Sequence, residues 1–244
     1  MEKEGNIISN VPEVLETWKN DFKQLYNPPP NPVDQDFVNS INAEKVRLES
    51  HLNNKVHNTS NVLNSPISLV EVRKAILLSK KNKSPGLDLI PNEVIKNAKI
   101  CPVLFKLFSF CFENHIVPSL WLKSIVKPIP KNSDKSPYVP LNYRGISLIS
   151  CIAKTYSSIL NCRVSTYLEN NNILVDEQNG FRKSRSCEDH IFTLSSLIKC
   201  KKAENKSVFA AFIDMSKAFD CINRNLLYYK LLKNNIGGNI LSRY

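Results

Sequence analysis

The sequence predicts an α/β (α+β) fold, with helices first and a central strand late in the chain. Three observations carry that prediction. Apolar residues recur at helical spacing in successive segments from about residue 65 to residue 170. Ser68 with Glu71, and Ser186 with Asp189, have the three-residue spacing of helix N-terminal caps. Val208 to Ile213 form an unbroken apolar run, too continuous to leave one face in water, and read as a strand buried on both sides.

Residues 1–64 are polar and rich in Asn, and read as a linker or extension with some helix. Within them Val11 to Tyr26 fit one amphipathic helix, with Val14, Leu15, Trp18, Phe22 and Leu25 on one face. The NPPPNP stretch at 27–32 forces an extended break. The compact part begins near Ser65, where the Ser68/Glu71 box starts a helix that turns Leu69, Val72, Ile76 and Leu77 inward and ends between Lys80 and Pro85. A short helix follows Pro91. Val103 to Glu113 is apolar on nearly every side, so its aromatics read as core. Ser124 to Pro130 reads as a short strand which Pro128 confines to an edge or a loop mouth. Ser150 to Asn170 is a long helix with Ile152, Tyr156, Ile159, Leu160, Val164 and Leu168 at helical spacing. Ser186 and Asp189 cap another, running towards Lys201. After the strand at 208–213 comes a helix with Leu226, Leu227, Lys230 and Leu231, ending near Gly237 and Gly238.

The net charge of +11 is unevenly placed. Arg73 to Arg163 hold 15 Lys and Arg against 4 Asp and Glu, and the remaining residues balance. A local excess of this kind fits a polyanion partner, since cations released from phosphates drive binding; a solvated basic surface is the alternative. The seven cysteines include no Cys-x-x-Cys pair, and several lie in apolar helical stretches, as reduced buried thiols of an intracellular protein do. Cys187 and His190 have ligand-like spacing, but no second pair completes a zinc site. The acidic, polar start is no signal peptide, and no apolar run is long enough to cross a bilayer, so a soluble chain is expected.

Asp214 ends the apolar run. A carboxylate there has two readings: a cap on the free N–H groups of Met215 to Lys217, or a ligand for a divalent cation. The surrounding blocks bear on that choice. SPGLDLIPNEVIK (84–96), WLKSIVKPIPK (121–131), LNYRGISLISCIAKTYSSIL (141–160), QNGFRKSRSCEDHI (178–191) and the Asp-x-x-Lys-Ala-Phe-Asp pattern from Asp214 occur in the order seen in reverse transcriptases of non-LTR (LINE-type, jockey/RTE-like) retrotransposons. The chain resembles that family from about residue 65 to its end. The resemblance implies the fingers and first palm strand of a right-hand polymerase, stopping before the rest of the palm and the thumb. It divides the chain into a polar extension (1–64), a helical lead-in to the fingers (65–110) and the reverse transcriptase domain proper (111–244). WKNDFKQLYN then falls where the family joins an endonuclease to the polymerase.

The resemblance also implies roles. Asp214 is the first of three metal-binding aspartates, with the Met215 carbonyl as a backbone ligand, for two Mg2+ ions in a complete site. Asp220 is a carboxylate near that site. Lys131 and Arg144 bind the triphosphate, one as a mobile point charge and the other as a planar fork, with Lys127 and Lys135 in reserve. Many relatives have proline where this chain has Gly145, a change that loosens the backbone beside Arg144. Phe219 lies under the incoming sugar and excludes a 2′-hydroxyl, although a core phenylalanine fits the sequence nearly as well. Gln178, Gly180, Phe181 and Arg182, with Lys183 and Arg185, lie along the template or else form a plain basic turn. The implied partners are an RNA template, a DNA primer and deoxynucleoside triphosphates, with no membrane. The paired aspartates of the family's later hairpin are not in this sequence, where Asp220 is the only aspartate after Asp214. Two readings remain: part of an RNA-directed DNA polymerase, inactive by itself, or a non-enzymatic binder of RNA or RNA–DNA duplex. In either, a strand at 208–213 without neighbours is an aggregation-prone edge.

Overall fold

The computed structural model describes residues 2–3, 6–7, 10–27, 35–56, 62–131, 136–215, 218–219 and 222–241. These are mostly helical, with two small antiparallel sheets of two strands each. Strands β1 (Glu2–Lys3) and β2 (Asn6–Ile7) pair with each other. Helices α1 (Val11–Tyr26) and α2 (Gln35–Val56) follow. The segment expected as a polar extension therefore supplies two helices, with Phe22, Ile41 and Leu52 buried. Helix α2 packs on a late helix, and its Lys45 ammonium lies 5.6 Å from the Tyr228 ring centre.

The core forms where four helices meet: α3 (Leu69–Leu78), α4 (Asn92–Ile95), α5 (Cys101–Asn114) and α6 (Cys151–Asn170). The expected cap of α3 is present, with Glu71 N–H donating to Ser68 Oγ and Ser68 N–H donating to the Glu71 carboxylate at 2.8 Å. Helix α5 is central, with Leu104, Phe108, Cys111 and Phe112 buried, so its aromatics on that side are core. Trp121 and Tyr156 close over Phe108, with ring centres 6.1 and 5.4 Å from it. Cys101, Cys111 and Cys151 are buried, whereas Cys162, Cys187 and Cys200 are exposed; Cys221 lies outside the described residues.

Arg163 of α6 ties this core together. Its guanidinium donates to both oxygens of Glu71 at 2.6 and 2.9 Å. It also donates to the carbonyls of Leu63, Ser65 and Pro66 at 3.2, 2.6 and 3.1 Å. The cation sits 5.2 Å from the Phe112 ring centre. Burial works against ionisation of Glu71, but the hydrogen bonds from Arg163 and Ser68 outweigh it and hold its carboxyl down at about 2. At the other end of α6, Gly86 is pressed against the chain. A Cβ there would lie 2.5 Å from Ser150 N and 2.6 Å from Ile149 C.

Strands β3 (Ile125–Pro130) and β4 (Tyr143–Leu148) form an antiparallel hairpin in which Ile129 pairs with Arg144 and Pro128 with Gly145. Pro128 is accommodated as expected for a strand that has no further partner on that side among the described residues. Helix α7 (Cys187–Ala203) begins with Ser186 N–H donating to Asp189 Oδ2 at 2.6 Å. Helix α8 (Arg224–Lys233) ends before a 3₁₀ turn at Gly238–Leu241, and Gly238 has a φ of 76°. No helix among the described residues is long and apolar enough to cross a membrane.

The buried strand expected at 208–213 does not form. This stretch is irregular, with Phe209, Phe212 and Ile213 95%, 87% and 87% exposed. A buried strand needs neighbours on both edges and cover on both faces, and among the described residues neither hairpin supplies them. The fold is correspondingly more helical than the α/β (α+β) expectation.

The ion pair sets a pH dependence. Glu71 binds protons less readily folded than unfolded, so its stabilising contribution is complete above about pH 4.5, the ordinary carboxylate value, and is lost as pH falls towards about 2. Urea titrations followed by circular dichroism should show that loss in the natural chain and a flatter profile over this window in Glu71→Gln. Arg163→Ala should cost about 3 kcal/mol, measured in the same titrations at pH 7.

Candidate functional site

The hairpin alternates its side chains, and the register sorts them. Lys127, Ile129, Arg144 and Ile146 share one face, and Val126, Pro128, Tyr143 and Gly145 share the other. Helix α1 lies against the β4 part of the second face: Trp18 meets Tyr143 edge-on at 5.0 Å, and Tyr26 Oη donates to the Gly145 carbonyl at 3.3 Å, while Val126 and Pro128 of β3 stay exposed. The first face is open, with Lys127 and Arg144 exposed and Ile129 and Ile146 46% and 41% exposed.

Lys131 follows the end of β3, two positions beyond the residue paired with Arg144, so the hairpin brings these predicted cations to one end. Its backbone N–H donates to Asn142 O at 2.9 Å and its ammonium donates to Leu141 O at 2.7 Å. The loop is drawn in further by Asn142 Nδ2, which donates to Ser136 O, and by Tyr143 Oη, which donates to Pro137 O. Lys135 lies outside the described residues.

The block at 178–185 is held by Arg182. Its guanidinium donates to both Glu169 oxygens at 2.9 and 2.8 Å and to the carbonyls of Val175 and Gln178. That pairing holds the Glu169 carboxyl below its ordinary range. Arg182 thus anchors the loop to the end of α6, while Arg185 pairs with Asp176 at 3.0 Å and Lys183 stays exposed. Gln178 Nε2 donates to Gly180 O at 3.3 Å. A Cβ at Gly180 would meet nothing within 4 Å, so no contact within the described residues demands a glycine there. Phe181 is 93% exposed with a φ of 62°, a conformation that costs a bulky residue energy.

Phe219 is exposed, not a core residue, and meets Phe181 edge to face with ring centres 6.0 Å apart. Two predicted site residues from separate blocks are therefore in contact. A cavity of about 380 Å³ beside Phe219 is also lined by Tyr26, Val126, Ser147 and Arg224, which links Phe219 to the hairpin. Sequence reading missed Arg224; its one signal was a cation at the start of a helix, where a cation is disfavoured without an anion to meet.

Asp214 and Met215 are exposed, contrary to the expectation of a carboxylate at the end of a buried strand. The donor set does not fit a metal centre: among the described residues no three His, Cys, Asp or Glu side chains gather to hold an ion, Cys187 and His190 included. Ser216 and Lys217, on which a cap by Asp214 would act, and Asp220 lie outside the described residues. A roomier cavity of about 450 Å³ lies between α3 and α6, with Lys74, Lys80, Lys83 and Lys154 in its lining and none of the predicted site residues.

Part of the sequence is similar to known proteins. Residues 129–243 match the family described as reverse transcriptase (RNA-dependent DNA polymerase). In part, the chain is similar to the reverse transcriptases of non-LTR retrotransposons. A probable RNA-directed DNA polymerase from transposon BS of Drosophila melanogaster is 28% identical over 170 residues, which are 69% of this chain and 19% of the relative. That from the X-element of the same fly is 26% identical over 158 residues, 64% of this chain and 17% of the relative. The RNA-directed DNA polymerase of its mobile element jockey is 25% identical over 169 residues, 68% and 18%. The chain spans less than a fifth of the length of each of these relatives.

Arg182 and Gly180 separate anchoring from ligand contact. Arg182→Ala should speed proteolysis and amide exchange across 175–186, read by mass spectrometry. Gly180→Ala should leave stability within about 0.5 kcal/mol, measured by urea denaturation.

Proposed function

We propose that this chain supplies the nucleotide- and template-facing front of a retrotransposon reverse transcriptase. The observation that carries the reading is the hairpin's open face, where Lys127 and Arg144 stand exposed while α1 lies against β4 on the opposite face. Arg144 offers a planar fork to phosphate oxygens, Lys127 adds a mobile charge, and Lys131 adds one held beside the loop by the Leu141 carbonyl. Phe219 is placed under the sugar of an incoming deoxynucleotide by the resemblance alone; the cavity beside it opens on Val126 and Ser147, on the hairpin face opposite Arg144. Phe181 presents an aromatic face on which a template base stacks, with Gly180 allowing the strand to come close. Asp214 and the Met215 carbonyl enter the reading only as two oxygen donors on one exposed segment, and no catalytic step is routed through them.

A second reading is binding of RNA or RNA–DNA duplex without catalysis. What favours it is that, among the described residues, no three His, Cys, Asp or Glu side chains gather with Asp214. Both readings require a polyanion on the hairpin, and they part at nucleotide addition.

Fluorescence anisotropy with a labelled 20-nucleotide RNA and with (dT)20 should show binding that weakens as salt rises. Lys127→Glu and Arg144→Glu should each weaken it and reduce the salt slope by about 0.7 or more. Salt-insensitive binding, or affinities unchanged by both substitutions, would remove the hairpin from the interface. With RNA template, DNA primer, deoxynucleoside triphosphates and Mg2+, residues 1–244 should bind without extending the primer, and extension seen on a gel would decide for the enzyme. In a longer chain that does extend, Phe219→Ala should admit ribonucleotides, and unchanged sugar discrimination would remove the role given to Phe219.

A further inference from the structure

Gly145 sits where two segments far apart in sequence touch. A Cβ there would collide with Tyr26 Oη and lie 2.6 Å from Phe22 Cε1 and 3.0 Å from Val126 Cγ1. The residue is not in the left-handed region of backbone space, so the glycine answers to a close approach and not to a turn. The approaching element is α1. Trp18, Phe22 and Tyr26 recur every fourth residue and form one aromatic row, Trp18 stacked on Phe22 at 5.7 Å and Phe22 tilted on Tyr26 at 5.9 Å. That row lies against β4 through the Trp18–Tyr143 contact and the Tyr26–Gly145 hydrogen bond, and α1 also touches the turn at Pro140–Asn142.

A two-stranded hairpin is marginally stable alone and gains its rigidity from whatever covers a face. We infer that α1 is a strut built into the chain: it docks on the hairpin through Gly145, stiffens both strands, and so fixes Arg144, the residue next to the contact, on the opposite face. Trp18, Phe22, Tyr26 and Gly145 are positioning residues in this account. The inference goes beyond the proposed function and rests on it only for the effect on polyanion affinity.

The test uses the full chain in a Trp121→Phe background, which leaves Trp18 as the sole indole. Adding Gly145→Val should shift Trp18 emission to the red, raise its quenching by acrylamide towards that of the urea-unfolded chain, and speed amide exchange in Ile125–Pro130 and Tyr143–Leu148 relative to α5. In the Trp121→Phe-free chain, Trp18→Ala should speed the same amides and Trp18→Phe should preserve their protection. Slow exchange in α5 throughout distinguishes release of α1 from loss of the fold. Unchanged Trp18 emission in Gly145→Val, or release of Trp18 with hairpin exchange unaltered, would overturn the inference. In (dT)20 anisotropy, Gly145→Val should weaken binding. Failure of the natural chain to bind would count against the proposed function while the emission and exchange results still decide the role of α1.

Discussion

One buried cation organises the helical core. Arg163 comes from α6, its carboxylate partner from α3, its three carbonyl partners from the approach to α3, and the ring beneath it from α5. A guanidinium in a dry setting is costly unless its donors are met. Here the required acceptors can be supplied only when these segments are already in place. The same demand explains why Glu71 is both capping residue and counterion: one carboxylate closes the first turn of α3 and neutralises Arg163.

From that core the chain distributes its arginines by task. Arg163 and Arg182 have buried side chains and spend their hydrogen bonds inside the protein. Arg144 and Arg224 are exposed on the hairpin and beside the cavity with Phe219. Of the basic excess between Arg73 and Arg163, Arg163 is therefore structural. An estimate of polyanion affinity taken from net charge would count cations that already have anions.

The helices from α3 onward were legible because their signals are local, whereas α2 lies in a stretch that read only as a polar linker with some helix. A cap such as Ser68 with Glu71, or the spacing of Tyr156 and Ile159, acts within one or two turns and forms wherever the rest of the chain lies. Val208 to Ile213 failed for the opposite reason: an apolar run states a need for neighbouring strands but does not contain them. Arg182 was legible as a cation but not as an anchor, since its partner Glu169 stands at the end of a helix whose course past that point is set by tertiary packing. Gly145 read as a loosened backbone beside Arg144. Its neighbour across space, Tyr26, is 119 residues away, and no local pattern announces such a contact.

Gly86 carries a mechanical consequence. Backbone atoms of Ile149 and Ser150 occupy the space where any other side chain would begin, so the 84–90 segment clamps the junction between β4 and α6. Ser150 is held from the other side as well, its hydroxyl accepting from Ile152 N–H and Ala153 N–H. A displacement of the hairpin about that junction would have to carry the 84–90 segment with it, which couples the root of the hairpin to the helical core.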